Sequence, residues 1–394
     1  MPDVALPFGR DEYAARLNKV RLAMDAAGIE VLVVTDPSNM AWLTGYDGWS
    51  FYVHQAVIVT HDDVPRWWGR LMDGFGAHRT AYIPESHIHT YSDDYVQSTE
   101  RHAMDHLSMV FDELGLKSRR IGVEMENYYF TAAAYECLKR NLPNAEFIDA
   151  TSLVNWQRTI KSPTEIEYMR RAAQIVEKMH ARVLDKVEPG IRKNDLVAEI
   201  YDQGIRGTEE FGGDYPAIVP LTPTGLDATA AHLTWNDKPM ESGAGTFFEL
   251  AGCYRRYHAP LCRTIYLGDP PRDMIEAERA VVEGLEEGLD VARAGNRACD
   301  VAMAFHGALK RAGIHREGRC GYPVGLSYPP DWGERTISFR ESDQSVLKPG
   351  MTFHFMPGLW AKTWGLEITE TILIRDDGAA ECLAHYPRKL FIKR

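Results

Sequence analysis

A run of polar and aromatic side chains at residues 249–264 offers most of the chemistry in this sequence. It begins with the carboxylate of Glu249 and ends with Arg263 and Thr264. Because successive side chains on a strand point to opposite faces, the middle of the run divides into two sets. The sets are Tyr254, Arg256 and His258 on one side, and Arg255 and Tyr257 on the other. The alternation alone leaves open which set faces a pocket.

Aromatic residues are frequent in the segments that could surround such a pocket. They are Trp49, Tyr52, Tyr322, Tyr328, Trp332, Trp360 and Trp364. Ring faces attract diffuse positive charge, so a cage for a cationic ligand is one interpretation. Ordinary packing in a hydrophobic core is the other, and both stay open.

The elements that position these residues are predicted to form two domains, 1–157 and 158–394. In the first, helical patterns at 11–28 and 130–140 alternate with strand patterns at 31–34, 53–60, 120–124 and 145–149. This alternation predicts a small α/β domain with a mixed sheet. The second domain opens at Ser162, with Pro163 and Glu165 completing a capping box for a helix that runs to about residue 187. Strand-rich sequence follows, with helices predicted at 272–294 and 299–312.

Composition excludes several classes of function. The chain has 394 residues and a net charge of -12, which argues against binding to nucleic acid or anionic lipid. Its six cysteines form no CxxC pair, a pattern typical of reduced thiols. No apolar run is long enough to span a membrane. The first four residues, Met1-Pro2-Asp3-Val4, do not begin a signal peptide, so we expect a cytoplasmic protein.

Five motifs in order resemble the creatinase/prolidase/methionine-aminopeptidase superfamily. They are the run 158–166, Gly252 with Tyr254 to Thr264, Gly321 with Gly325, the turn 347–351, and the strand 368–374. The resemblance covers the whole chain. It implies a small N-terminal α/β creatinase-like domain and a C-terminal catalytic domain of the pita-bread fold, an α+β architecture.

The same resemblance locates the metal-binding positions of the family's peptidases. In this sequence they carry Glu249, Pro260, Tyr322, Met356 and Thr369. A dinuclear site needs bridging carboxylates, and one remaining carboxylate cannot hold two cations. We therefore expect no metal and no other cofactor, as in creatinase, which the resemblance gives as a metal-free precedent.

The resemblance also implies the roles of the site residues. Glu249 and Glu367 should face the pocket as catalytic carboxylates that suit a cationic substrate, and His232 matches the family's proton-handling histidine. Substrate contacts are expected from Tyr254, Arg256, His258, Tyr322, Tyr328, Trp332 and Trp360. Trp49 and Tyr52 are expected to cover the site of a partner subunit in a homodimer. Arg263 is expected to be structural.

Residues 254–261 and the Tyr-Pro-Pro-Asp-Trp run at 328–332 further resemble the family members that hydrolyse ectoine. That resemblance implies a small zwitterionic substrate, ectoine or 5-hydroxyectoine, whose cyclic amidine opens to N-acetyl-2,4-diaminobutyrate. A downstream deacetylase is an expected partner.

Three other interpretations stay open. A creatinase-type enzyme would act on creatine or a related guanidino compound. A carbon–sulfur lyase is expected to keep its metal ligands, which are missing here. A solute-binding or regulatory protein would bind its ligand without turnover. The presence of both Glu249 and His232 argues against this interpretation.

Overall fold

A computed structural model describes residues 4–394. The prediction that the N-terminus does not begin a signal peptide rests partly on Met1, Pro2 and Asp3, which lie outside the described residues. The chain divides into two compact units, Met1–Arg158 and Thr159–Arg394. This division falls one residue after the predicted domain boundary, and each unit is described by itself.

The first unit is an α/β domain. Its helices are α1 (Arg10–Ala27), α2 (Pro37–Thr44), α3 (Leu71–Thr80), α4 (Ala103–Glu113), α5 (Ala132–Asn141) and α6 (Leu153–Arg158). Its strands are β1 (Val31–Val34), β2 (Ala56–Thr60), β3 (Arg66–Arg70), β4 (Ile88–Tyr91), β5 (Arg120–Val123) and β6 (Glu146–Asp149). They form a mixed sheet in the order β4-β3-β2-β1-β5-β6, as the alternating sequence pattern predicts.

Strand β1 is apolar throughout because both faces of the sheet are covered. Leu32 and Val34 belong to one buried cluster, and Val31 and Val33 belong to another. Helix α1 contributes to the first cluster, and α4 and α5 contribute to the second. Such continuous apolar strands are typical of a sheet with helices on both sides.

The second unit carries the remaining elements. Its helices are α7 (Pro163–Lys186), α8 (Lys193–Arg206), α9 (Arg272–Val291) and α10 (Ala298–Arg311). Its strands are β7 (Ala244–Tyr254), β8 (Tyr257–Leu267), β9 (Gly321–Pro323), β10 (Thr352–Phe355), β11 (Gly358–Trp360), β12 (Gly365–Glu367), β13 (Glu370–Leu373), β14 (Glu381–Cys382) and β15 (Phe391–Lys393). The sheets have the orders β15-β8-β7, β14-β13-β10-β9 and β11-β12.

The start of α7 confirms the predicted capping box. The Ser162 hydroxyl accepts a hydrogen bond from the Glu165 amide, and the Glu165 carboxylate accepts one from the Ser162 amide. The helix packs closely on β7, where a methyl group on Gly252 would lie 2.0 Å from the Ala172 carbonyl oxygen. Only glycine fits there, so this contact fixes which face of β7 meets the helix.

A large hydrophobic core joins α9 and α10 to the strands of the second unit, with Phe305, Phe353 and Ile372 among its buried members. Within residues 4–394, no helix combines the length and apolarity that a membrane span requires.

Candidate active site

The polar run at 249–264 is a hairpin of β7 and β8 whose two-residue turn is Arg255-Arg256. Both turn residues have positive φ angles, 48° and 67°, as this tight hairpin connection requires. Because the chain reverses at the turn, the predicted alternation across residues 254–258 is wrong. Tyr254 pairs with Tyr257 across the strands, and Cys253 pairs with His258.

The pairing assigns the hairpin residues to two faces. Directly opposed residues of antiparallel strands share a face, so Glu249 lies with Cys262, its cross-strand neighbour. Tyr254 lies on the other face, where Arg171 of α7 donates to its hydroxyl at 2.9 Å. The structure therefore places Tyr254 on the helix-packed side, away from the face that carries Glu249.

Glu249 and Glu367 form the chemical centre of the buried face. Their exposed fractions are 5% and 1%. Burial raises the pKa of Glu249 well above 4.5, and the charge of Glu367 raises it further. Burial also raises the pKa of Glu367 to about 7, against the opposing effects of a Cys262 hydrogen bond and the charge of Arg316. Two neighbouring buried carboxyl groups resist joint ionisation, so the pair retains a proton near neutral pH.

The backbone holds Glu367 beside strand β8. The Glu367 amide donates to Thr264 Oγ1 at 2.8 Å, and that hydroxyl donates to the Glu367 carbonyl at 3.0 Å. The strand predicted at 368–374 is shorter in the structure, where β13 spans Glu370–Leu373 and Glu367 ends the separate strand β12. This break lets Glu367 pair with Gly358 in one hairpin, while Glu370 belongs to a different sheet.

A chain of hydrogen bonds includes Thr369 and Tyr322, two of the five positions at which the resemblance places metal ligands in the family's peptidases. The Cys262 amide donates to Thr369 Oγ1 at 2.8 Å, and His354 Nε2 lies 2.8 Å from the same hydroxyl. His354 Nδ1 lies 3.0 Å from the Tyr322 hydroxyl, which accepts from Trp332 Nε1 at 2.9 Å. Burial lowers the pKa of His354 to about 3, so its imidazole is neutral. Burial, and then the charge of Glu249, raise the pKa of Tyr322.

His258 and Arg256 both form hydrogen bonds with backbone groups. His258 Nε2 accepts from the Ala217 amide at 2.9 Å, and Nδ1 lies 2.9 Å from the Arg256 carbonyl. Burial lowers its pKa to about 3. Both ring nitrogens are therefore engaged within the protein, and the expected contact of His258 with substrate stays a prediction. The Arg256 guanidinium lies 3.5 Å from the ring centroid of Tyr215 and donates to the Tyr215 carbonyl at 3.1 Å.

The predicted aromatic residues fall into different environments. Trp332 and Tyr328 are buried, Trp360 is half-buried, and Trp364 donates to Asp273 at 3.1 Å. In the first unit, Trp49 and Tyr52 are 58% and 69% exposed. Their expected role over a partner's site stays a prediction.

His232 is exposed in a turn at residues 231–232. It lies outside the set of buried groups around Glu249, and its expected proton-transfer role stays a prediction. His354, which the residue patterns did not indicate, is fully buried and hydrogen-bonded to both Thr369 and Tyr322. Strand alternation could have indicated it, because His354 lies two residues before Met356, one of the family's ligand positions.

Arg263 has the expected structural environment. It is fully buried, donates to the Glu370 carboxylate at 2.6 Å, and also donates to the Thr369, Pro387 and Tyr386 carbonyls. These bonds tie β8 to the chain around β13 and to the C-terminal segment.

The residues present do not fit a metal ion. Pro260 and Met356 offer no nitrogen or oxygen ligand, and the hydroxyls of Tyr322 and Thr369 are engaged in the hydrogen-bond chain. Among the described residues, no group of three or more His, Cys, Asp or Glu side chains could hold a metal. No catalytic step is therefore assigned to a metal.

Comparison with known proteins agrees with this architecture. The model of metallopeptidase family M24 matches residues 167–376, and the creatinase/prolidase N-terminal domain matches residues 16–160. The chain belongs to family M24 and carries the creatinase-type N-terminal domain. The expected pairing of an α/β domain with a pita-bread domain is thereby confirmed.

Individual relatives refine the comparison. The chain is 58% identical to the ectoine hydrolase of Halomonas elongata, with both chains covered completely. It is 25% identical to the Xaa-Pro dipeptidase of Pyrococcus furiosus, over 92% of this chain and 96% of that protein. The structure of the prolidase from Pyrococcus horikoshii has a TM-score of 0.80 at 20% identity, covering 95% of this chain and 99% of that one.

Proposed function

We propose that this chain hydrolyses ectoine, opening its cyclic amidine to N-acetyl-2,4-diaminobutyrate. The observation that carries the proposal is the buried carboxyl pair of Glu249 and Glu367. A cationic amidinium would supply the positive charge that stabilises ionised carboxylates in this setting. The full-length similarity to the Halomonas elongata ectoine hydrolase supports the choice of substrate.

The pair suits a reaction that needs one base and one acid. In the free protein the charge of Glu367 favours the proton on Glu249, and an amidinium bound beside Glu249 would shift that proton to Glu367. The ionised Glu249 then faces the amidinium carbon, and the protonated Glu367 delivers its proton to the departing ring nitrogen. The neutral chain of Thr369, His354, Tyr322 and Trp332 lies behind them and adds no competing charge.

Two routes use these roles. In the first, a Glu249 oxygen bonds to the amidinium carbon, and the ring C–N bond breaks as the nitrogen takes the proton from Glu367. Water then displaces Glu249 and its oxygen becomes the amide carbonyl; one of its two protons ends on the freed amine and the other returns to Glu367. In the second, Glu249 removes a proton from water as the water oxygen bonds to the same carbon. The proton from Glu367 again accompanies cleavage of the C–N bond. As the amide carbonyl forms, the hydroxyl proton returns to Glu367, and the proton on Glu249 passes to the freed amine.

We further propose that the reaction needs no metal, since the family's metal positions carry Pro260, Tyr322, Met356 and Thr369. Protein dialysed against EDTA should open ectoine at its original rate, with elemental analysis showing less than one transition metal per chain. Activity lost on chelation and restored by metal would refute this part.

The substrate assignment is tested by incubating the metal-stripped protein with ectoine, 5-hydroxyectoine, creatine and a proline dipeptide. We expect ring-opened product from the first two, identified by mass spectrometry. Glu249→Gln is the inactive control, and Glu283→Gln, an exposed change on α9, is the matched active control. Product from creatine alone would favour the creatinase-type alternative, and binding without product would favour a non-enzymatic role.

The expected homodimer, the deacetylase partner and the cytoplasmic location stay predictions.

A further inference from the structure

A loop arginine near Glu367 has a buried donor without an acceptor. Arg316 follows α10, and its Nε donates to the Gly358 carbonyl at 2.7 Å, while Nη2 donates to the Arg319 carbonyl at 3.2 Å. Nη1 is buried and has no hydrogen-bond partner within residues 4–394. A buried guanidinium donor without an acceptor is costly, so such an atom points to a ligand.

Trp360 provides a second donor of this kind. Its Nε1 is also buried without a partner among the described residues. Gly358 and Trp360 lie on one face of β11, and Gly358 pairs directly with Glu367 of β12. A methyl group on Gly358 would lie 2.9 Å from the Trp360 ring and 3.3 Å from Glu367 Cγ. The indole and the carboxyl side chain therefore lie side by side over this glycine.

Glu367 supplies the matching acceptor. Its Oε2 is buried without a partner in the described part of the chain. Arg316 lies near enough for its charge to lower the pKa of Glu367, and its Cζ is 5.9 Å from the Trp360 ring centroid. Two unpartnered donors and one unpartnered acceptor thus occupy the same region of the second unit.

Arg316 and Trp360 line a cleft of about 560 Å³. Asp273 and Glu276 also line it, and their carboxylates would repel an anion. The unpartnered donors of Arg316 and Trp360, which are buried beside this cleft, favour a negatively charged group.

We propose that Arg316 and Trp360 bind the carboxylate of a zwitterionic substrate whose cationic end meets Glu367 and Glu249. This inference rests on the proposed function and extends it to substrate specificity. In ectoine the carboxylate is attached to the ring carbon beside an amidinium nitrogen. One small molecule can therefore accept from Arg316 Nη1 and Trp360 Nε1 while its ring N–H donates to Glu367 Oε2.

The test compares ectoine with 2-methyl-1,4,5,6-tetrahydropyrimidine, the same cyclic amidine without the carboxylate. Arg316→Met should lower kcat/KM for ectoine by about 10–100-fold more than it lowers kcat/KM for the carboxylate-free amidine, because loss of the charge beside Glu367 acts on both substrates, whereas loss of the carboxylate contact acts on ectoine alone. Trp360→Phe keeps the ring and removes the N–H, so it should shift the ratio of the two substrates in the same direction by a smaller factor. Arg311→Met, on the exposed side of α10, is the matched control.

The ratio of kcat/KM for ectoine to kcat/KM for the carboxylate-free amidine distinguishes a carboxylate-binding role of Arg316 from a purely structural one. If Arg316 only positions Glu367, both amidines lose activity equally, and that result overturns the proposal. If the wild type hydrolyses neither compound, the proposed reaction fails, and calorimetry then tests the subsite by itself. Binding of ectoine that Arg316→Met selectively weakens would still support the subsite, whereas no binding, or equal binding of both amidines, would refute it.

Discussion

Glu367→Gln tests the buried carboxyl pair through the pH dependence of stability, without reference to a substrate. In the unfolded chain Glu367 ionises at its ordinary pKa of 4.5, whereas burial raises its pKa in the folded protein to about 7. Below pH 4.5 both states are protonated. Between these two values only the unfolded chain ionises, so the folded wild type loses stability as the pH rises.

The pKa difference corresponds to about 3 kcal/mol of free energy of unfolding, which is lost by about pH 8. Glutamine cannot ionise, so the variant escapes this loss. The variant also removes the neighbouring charge that raises the pKa of Glu249. That change eases ionisation of Glu249 and acts in the same direction. We therefore expect Glu367→Gln to gain stability over wild type between about pH 4.5 and pH 8.

Urea denaturation of both proteins at the two pH values measures this change. The informative quantity is the change with pH in the stability difference between variant and wild type. Effects of the amide on packing or on the Cys262 hydrogen bond are present at both pH values and cancel in this comparison. Glu283→Gln, whose side chain is 54% exposed, should show no such change. A Glu367→Gln effect of the same size at both pH values would refute the raised pKa and the acid role built on it.

Three further predictions concern turnover, packing and assembly. Glu249→Gln should lower turnover of ectoine by roughly 10²–10⁴-fold without loss of folding stability, since the amide removes the nucleophile or base but leaves no cavity and no buried ionisable group; near wild-type turnover would exclude Glu249 from the mechanism. Arg263→Met should lower the free energy of unfolding by about 3–5 kcal/mol because Glu370 loses its buried ion-pair partner. Arg272→Met, with a 92% exposed side chain, should have little effect. Equal urea midpoints for wild type and Arg263→Met would contradict this prediction. Sedimentation should show a homodimer at micromolar concentration, and Trp49→Ser should lower turnover while leaving the fold intact; a fully active monomer would contradict the expected role of Trp49.

The elements that local signals define could be predicted from the sequence. Gly28 ends α1 in the left-handed conformation, and Ser162 and Glu165 begin α7 with reciprocal caps. Both are short-range effects of backbone geometry and hydrogen bonding, so a few adjacent residues suffice to encode them. The inward position of Glu249 could be predicted because eleven residues separate it from Pro260 in a recognisable hairpin.

The turn of that hairpin could not be predicted in the same way. Arg255 and Arg256 adopt positive φ angles, which two-residue turns usually reserve for glycine or asparagine. Nothing in the two residue types indicates this conformation, and it follows from the pairing of β7 with β8 along their whole length. If the turn is missed, every side chain after it is assigned to the wrong face. This is why the alternation grouped His258 with Tyr254, although the two lie on opposite faces.

The groups that interact with Glu367 are distant in sequence and could not be predicted from it either. Cys262 and Arg316 lie far from Glu367 in sequence, and both influence its pKa. Only the fold brings β8, β12 and the loop after α10 together. Residue types alone could suggest a carboxylate at this position, but its pKa and its neighbours required the structure.

The replacement of the family's metal ligands has a consistent electrostatic logic. A metal would have supplied positive charge to the carboxyl groups, whereas here the chain from Thr369 through His354 to Tyr322 is neutral and internally hydrogen-bonded. The members of this chain satisfy each other's hydrogen bonds. The chain can therefore fill the space of the metal ligands, but it cannot supply the positive charge of the metal ions. Among the described residues, Arg316 is the cationic group whose charge lowers the pKa of Glu367, and burial still raises that pKa to about 7. The deficit that remains is of positive charge beside Glu249 and Glu367, and the amidinium that we propose as substrate would fill it. The replaced ligand positions and the proposed choice of substrate would then share one electrostatic cause.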